Sequence, residues 1–287
     1  MDSRYRLWET LELRGVPLDP IIVLGMHRSG TTMLVKVLQS AGVFMGKQLS
    51  GNYESRVFQD ANRQIFDYFN ASWMNGHLLP NPDILYRGYS GLAAAIAARL
   101  TEDLPVAFFD SMSPSCKSWG FKDPRLSVSA GLFLRLFPEA RAFFIYRDPL
   151  DVAWSIVTRE KKQKRKHPGL ERYEFSQQEF EEMMIRSIKS WECYNTRALE
   201  GLLLFSHFST VRYESLVRHP IPMLTSVLAG LGIEVSEERI DKLPEFHIDR
   251  IGSAEKSGLD LSKFQDYLAE SPVARRLDQM FVAQQGL

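Results

Sequence analysis

Between Gly25 and Thr32 the chain reads Gly25-Met26-His27-Arg28-Ser29-Gly30-Thr31-Thr32, a set of residues suited to holding an anion. Gly25 and Gly30 permit a tight backbone wrap. A helix launched at Thr31 offers free N–H groups and the positive end of its dipole. Arg28 adds a fixed positive charge, and Thr31 and Thr32 add hydroxyl donors. A second group begins at Arg147, with Ser155 eight residues further on and Asp148, Pro149 and Asp151 between them. If Pro149 opens a helix, Ser155 lies about two turns in, and guanidinium and hydroxyl can face one anionic group. Taken singly, the first group is also a plain strand-to-helix turn, and the second an Arg–Asp pair capping a helix.

The glycine spacing of the first group matches that of nucleotide-hydrolysing loops, G-x-x-x-x-G-K-[ST]. Thr31 stands where those loops carry the lysine that reaches the outer phosphates. No apolar strand ends in an aspartate placed for magnesium either, because the strand before Arg147 runs into that arginine before Asp148. A donor with one phosphate beside its transferable group needs neither feature.

These groups must be positioned by strands and helices. Pro20–Gly25 reads as a buried strand, followed by the turn and a helix from Thr31 to Ser40. Glu54–Asn70 carries Val57, Phe58, Ala61, Ile65, Phe66 and Phe69 at helical spacing, and Gly91–Arg99 is an alanine-rich helix. Trp119–Asp123 predicts a short strand stopped by Pro124. Arg141–Tyr146 is the clearest second strand, with Pro149 at the favoured first turn of a helix. Gln177–Glu200 predicts a long helix and Phe208–Tyr213 a further strand. Strands alternating with helices imply an α/β fold of three layers, a central mainly parallel sheet flanked by helices. Ligands on such sheets sit at the carboxyl ends of the strands, here just after Leu24, Phe121 and Tyr146. With no repeat or linker, residues 1–287 are expected to form one domain, its core at about 20–220 and a helical segment at 221–287.

Composition narrows the partners. Lys plus Arg and Asp plus Glu both total 35 in 287 residues, so no global charge favours a nucleic acid or a membrane surface. Any anion recognition is local. Cys116 and Cys193 are too few for a disulfide framework or a zinc site. The N-terminal residues lack an apolar signal core and no apolar run approaches a membrane span, which predicts a soluble cytoplasmic protein.

The Gly25–Thr32 group resembles the 5'-phosphosulfate loop of the sulfotransferases that use 3'-phosphoadenosine 5'-phosphosulfate (PAPS), whose core is a basic residue followed by Ser-Gly-Thr-Thr. The resemblance implies that Arg28 contacts the bridging and sulfuryl oxygens and that Ser29, Gly30, Thr31 and Thr32 hold the 5'-phosphate. Arg147 and Ser155 match the family's 3'-phosphate motif, Arg-x-Pro-x-Asp-x-x-x-Ser. Val211-Arg212-Tyr213-Glu214-Ser215-Leu216 is similar to the family's Tyr-Glu-Asp-Leu segment, with Ser215 in place of aspartate. Tyr213 thereby becomes either an adenine contact or a core tyrosine. The family's C-terminal Arg-Lys-Gly clamp has only a loose analogue in Asp249–Lys256.

The same resemblance frames the base that accepts the acceptor's proton. Many members use a histidine two residues after a strand lysine; here Lys122 is followed by Asp123 and Pro124, which excludes that histidine. Members that sulfate glycosaminoglycans place a glutamate after the loop helix with a phenylalanine close behind, and Glu54 with Phe58 fits. Glu54 is the favoured base, its alternative being a carboxylate stabilised at a helix start. Asp123 is the reserve, and Lys122 is expected to stabilise charge on the sulfuryl oxygens. His27 is expected to pack or hydrogen-bond in the loop, and the basic run Lys161–His167 to be solvated. The reading is thus a PAPS-dependent transferase acting on a hydroxyl-bearing carbohydrate or other small molecule, without a metal. Its rivals are a P-loop kinase or NTPase and a non-catalytic nucleotide-binding module. The segments 42–53 and 70–89 are expected to shape the acceptor pocket.

Overall fold

A computed structural model describes residues 3–47, 49–234 and 243–284. Four strands form the centre: β1 (Ile21–Leu24), β2 (Gly120–Lys122), β3 (Arg141–Tyr146) and β4 (His207–Arg212). All are parallel, in the order β2-β1-β3-β4, with Leu24 beside Phe144 and Tyr146 beside Arg212. In a parallel sheet both faces must be covered, and the strands are accordingly apolar on both. Ile22 and Leu24 of β1 join Ala142, Phe144 and Tyr146 of β3 in one core. Ile21, Val23, Phe143 and Ile145 point into the other.

Helices α1 (Ser3–Glu12), α2 (Thr31–Ser40), α3 (Arg56–Tyr68), α4 (Pro82–Gly88), α5 (Ser90–Asp103), α6 (Leu126–Leu136), α7 (Pro149–Lys164) and α8 (Gln177–Leu202) surround the sheet. They are followed by α9 (Tyr213–Arg218), α10 (Pro220–Gly230), α11 (Ser262–Ala269) and α12 (Pro272–Gln284). Residues of α2, α9 and α10 close one face, and those of α1, α3, α5, α6 and α8 the other. The result is the three-layer, P-loop-like arrangement that the alternation of strands and helices predicts.

Several boundaries differ from the sequence reading, each for a local reason. Glu54 does not open a helix. Ser50 N–H donates to the Glu54 carbonyl at 2.9 Å, Leu49 and Ser55 form an antiparallel bridge, and Ser55 at the N-cap is extended. Glu54 therefore precedes α3, held in a small β-like turn. Tyr213 belongs not to β4 but to the first turn of α9, where the Glu214 carboxylate accepts from the Asp148 N–H at 2.9 Å. The alanine-rich helix runs on to Asp103. Helices α1, α4 and α6 were not anticipated. In α6 nearly every residue is buried, so it shows no apolar stripe to read. Within 70–89, expected to be loop, residues 82–88 are helical. Of the C-terminal segment, 235–242 and 285–287 lie outside the described residues.

Candidate active site

Strand β1 is flanked by β2, next in the chain, on one side and by β3 on the other, so the strand order reverses between β1 and β3. Such a switch point opens a crevice at the carboxyl ends of the strands. The two sequence groups follow those two strands.

The loop after β1 is tight. Gly25 has φ +148° and Gly30 φ +98°, and a Cβ on Gly30 would lie 2.5 Å from the Tyr213 ring. The Gly25 N–H donates to Ser127 Oγ at 2.8 Å. Arg28 takes a left-handed conformation, φ 73°, uncommon for a residue with a side chain and held only where its surroundings impose it. Its carbonyl accepts from Arg147 Nη1 at 3.2 Å and its Nε donates to Ser155 Oγ at 2.9 Å. These two bonds join the groups that sequence spacing could only place separately. Helix α2 then starts at Thr31 with Gly30 at the N-cap and no side chain capping it, so its first N–H groups remain for an anion.

Arg147 is buried. Besides Arg28, it donates through Nη2 to Asp151 and to the Arg250 carbonyl, and its guanidinium lies 4.6 Å from the Tyr213 ring centroid. Its Nε–H is buried with no protein partner, as is the Ser29 hydroxyl. Orphaned buried donors of this kind are what an anionic ligand satisfies. Asp151 ties down the C-terminal loop: it accepts from Gly252 N at 2.9 Å, Ser253 Oγ at 3.0 Å and Ala254 N at 3.0 Å. The 249–256 segment, a loose analogue in sequence, is thus drawn over Arg147 and brings Arg250 and Ser253 to the site.

Together these residues wall a cleft of about 780 Å³, lined by Arg28, Gly30, Thr31, Thr32, Lys36, Arg147, Ser155, Arg159, Lys162, Lys166, Tyr213, Arg250 and Ser253 among others. Among the described residues Glu245 is the one carboxylate in that wall. The volume lies within the roughly 300–1,000 Å³ usual for small-molecule sites. Burial, and then Arg159, Arg147 and Arg250, push the Arg28 guanidinium below its usual pKa. Crowded cations raise one another's energy, and a bound polyanion relieves it. Sequence reasoning missed Arg159, although Ser155, Arg159 and Lys162 follow helical spacing on α7 and so share one face, with Lys166 just beyond its end. The basic run is therefore divided. Lys162 and Lys166 border the cleft, while Lys161 and Arg165 pair with Glu174 and Lys164 donates to the Tyr173 hydroxyl at 2.7 Å.

Beside the loop lies a second cluster. Lys122, 2% exposed at the end of β2, donates to Glu54 Oε1 and to the Asn52 carbonyl, each at 2.8 Å. Thr32 Oγ1 donates to that same carbonyl at 2.9 Å. Burial pulls the Lys122 ammonium below its usual pKa, and Glu54 opposes the shift. Asp123 sits in the fork of Arg125, whose Nη2 reaches it at 2.6 Å; both carboxylate oxygens are taken and the side chain is 1% exposed. Its burial raises the carboxyl pKa, which the Arg125 bonds counter. Of the two carboxylates, Glu54 is the one linked to the Gly25–Thr32 loop, through Lys122 and the Asn52 carbonyl to Thr32, although neither carboxylate is part of the cleft wall. His27 packs edge-on against Trp73 and Tyr194, with ring centroids 5.0 and 6.0 Å away. Desolvation and the charges of Lys122, Arg125, Arg159 and Arg28 push its pKa down to about 3, so the imidazole is neutral. Among the described residues no His, Cys, Asp and Glu group is placed to hold a metal ion. Nor is any described helix long and apolar enough to cross a membrane.

A model of the sulfotransferase family matches residues 20–237. No curated protein sequence matches the chain. Among solved structures, a sulfotransferase from Alicyclobacillus acidocaldarius is 17% identical with a TM-score of 0.51, covering 87% of this chain and 100% of its own. Sulfotransferase STF9 from Mycobacterium avium is 17% identical with a TM-score of 0.49, covering 94% of this chain and 80% of its own. The likeness to the Alicyclobacillus protein is one of fold.

Proposed function

The chain belongs to the sulfotransferase family, and on that premise we propose that it moves a sulfuryl group from PAPS to a hydroxyl of a carbohydrate or other small molecule. The observation that carries this reading is the Arg28–Ser155 hydrogen bond above Arg147, which brings both anion-binding groups to one basic cleft. When bound, the nucleotide supplies the sulfuryl group and departs as 3',5'-diphosphoadenosine.

The residues divide the work. The uncapped N–H groups at the start of α2, with Ser29, Gly30, Thr31 and Thr32, hold the 5'-phosphate. Arg147 and Ser155 hold the 3'-phosphate, with Arg250 alongside. Tyr213, 4% exposed and packed in the core between Gly30 and Arg147, meets the adenine only with the part of its ring that reaches the cleft wall. Arg28 steadies the charge that grows on the bridging oxygen as the S–O bond breaks. Because these guanidinium groups supply the positive charge, the reading calls for no metal. Glu54 accepts the proton of the attacking hydroxyl, and Lys122, expected from the sequence to meet the sulfuryl oxygens, acts instead through Glu54, because its ammonium is taken up by Glu54 Oε1 and the Asn52 carbonyl. Asp123 anchors Arg125 and stays out of the proton transfer. A kinase reading finds no counterpart for its phosphate-reaching lysine, since Thr31 holds that position and Lys122 turns to Glu54.

Calorimetry with 3',5'-diphosphoadenosine tests the proposal. Binding is expected in the absence of metal, and Arg147→Ala should weaken it by about 1.5–3 kcal/mol, the usual size of a charge-assisted contact. Tight binding of magnesium–ATP with no affinity for the diphosphoadenosine would overturn it.

A further inference from the structure

The Glu54 carboxylate is held at both oxygens, and only one of its partners belongs to the strand end that the family motif marks. Lys122 Nζ donates to Oε1 at 2.8 Å; Gln59 Nε2 donates to Oε2 at 2.5 Å. We infer that Gln59 is a positioning residue for the reaction, fixing the plane of the Glu54 carboxylate so that its remaining lone pairs face the acceptor hydroxyl. The inference rests on the reading of Glu54 as the base.

Gln59 lies in the first turn of α3, where its N–H donates to the Ser55 carbonyl at 2.9 Å. A glutamine there ordinarily points to solvent. Here its backbone is fixed from the other side: Arg125 Nη2 donates to the Gln59 carbonyl at 3.0 Å, and Arg125 is itself locked by Asp123. The end of β2 and the residues after it therefore grip the carboxylate twice, directly through Lys122 and indirectly from Asp123 through Arg125 to Gln59. An ionised carboxylate has about four acceptor sites, so two donors leave each oxygen free to take a proton. Two fixed donors also remove rotation about the terminal bond, and a base must lie within hydrogen-bond reach of its proton. The charged groups around Glu54 are Lys122 and Asp123 from the β2 end and Arg125 from the segment leading into α6. Arg28 of the loop acts on Lys122. Gln59 is the neutral member of this set, and its amide stabilises the ionised carboxylate without adding charge.

The experiment compares Gln59→Leu, Gln59→Glu and Glu54→Gln in kcat, KM for the donor, rate–pH profile and affinity for 3',5'-diphosphoadenosine. Gln59→Leu should lower kcat about 10–100-fold, the worth of one hydrogen bond to a charged group. The loss should fall on kcat and leave the donor KM and nucleotide affinity within about twofold, because Gln59 is not part of the cleft. Gln59→Glu keeps the shape but pairs two carboxylates. They share one proton, so activity should fall as pH rises and that proton leaves, a response that lost packing does not produce. Wild-type kcat and profile in both Gln59 variants, with Glu54→Gln inactive, would overturn the positioning role and leave Glu54 as the base. Wild-type turnover in Glu54→Gln would overturn the base reading itself. If Gln59→Leu does not fold, the isosteric Gln59→Glu alone decides by its profile.

Discussion

Lys122 and Thr32 donate to one oxygen, the Asn52 carbonyl, at 2.8 and 2.9 Å, so the buried ammonium and the start of α2 are joined by two hydrogen bonds through a shared acceptor. Through Lys122 the link extends to Glu54. The carboxylate proposed to accept the proton is thereby tied mechanically to the loop proposed to hold the donor, although the two lie on separate elements of the chain.

Glu54→Gln keeps the shape of that link while removing the proton-accepting charge. Turnover should fall about 10²–10⁴-fold, the usual contribution of a general base. Affinity for 3',5'-diphosphoadenosine, assigned in the proposal to Arg28 and Arg147, should stay within about twofold. Steady-state rates beside calorimetry on the same preparation check both. Wild-type turnover in Glu54→Gln would remove it from the mechanism.

Removing the other partner should act on stability. Lys122→Met leaves Glu54 buried without its cation, and breaking one side of a buried pair typically destabilises by about 3–5 kcal/mol. Denaturant unfolding at neutral pH reads the loss. In the double variant with Glu54→Gln much of it should return, because no uncompensated charge is left behind. An equal loss in single and double variants would mean that Lys122 contributes packing alone.

What the sequence made legible follows from where its signals are local. Strands β1 and β3 are short apolar runs, each ended by a residue that cannot continue them, Gly25 in one case and Arg147 before Pro149 in the other. That punctuation located the loop, the arginine and Ser155. Helix α6 was missed because burial all round erases periodicity. Glu54 was placed at a helix start because the turn that displaces it, from Ser50 to Ser55, was not read from Ser50-Gly51-Asn52, although the Ser50 hydroxyl accepts from the Asn52 and Glu54 N–H groups, each at 3.3 Å. Arg250 was reached only as one residue of the loose clamp analogue at 249–256, without its contact to Arg147. It meets Arg147 across 103 residues, through a carbonyl that any residue could supply. Arg159 was within reach, one helical turn from Ser155, but lay outside the family motif. The pairing of Glu54 with Gln59 is a five-residue relationship across a turn-to-helix junction, and only the observed turn brings the two side chains together.

Gly30 carries two constraints at once. Its φ of +98° disfavours any side chain, and an added Cβ would meet the Tyr213 ring at 2.5 Å. Gly30→Ala should therefore destabilise the fold by about 1–3 kcal/mol and displace Tyr213 from the cleft wall. Nucleotide affinity should drop at least about tenfold, since the loop and a wall residue move together. Adding Tyr213→Ala relieves the clash but not the backbone strain, so stability should recover only in part. Full recovery would place the whole effect in the ring contact.

The last expectation concerns pH. Asp148 is the N-cap of α7, accepting from the Asp151 N–H at 2.9 Å. Burial, with Asp151 and Glu214 nearby, pushes its carboxyl from 3.8 up to about 6, against the opposing pull of that N–H and Arg212. Between those values the folded protein keeps a proton that the unfolded chain has already released. Stability from this group is accordingly present below the unfolded value and declines as pH rises through the folded one. Asp148→Asn retains an N-cap acceptor and removes the charge. It should stabilise the protein by about 1–2 kcal/mol at about pH 7.5, allowing for the group's partial exposure, and by much less at about pH 4.5. Denaturant unfolding at the two pH values reads the difference. An equal gain at both, or a loss at the higher pH, would mean that the Asp148 carboxylate is better satisfied at the head of α7 than its burial implies.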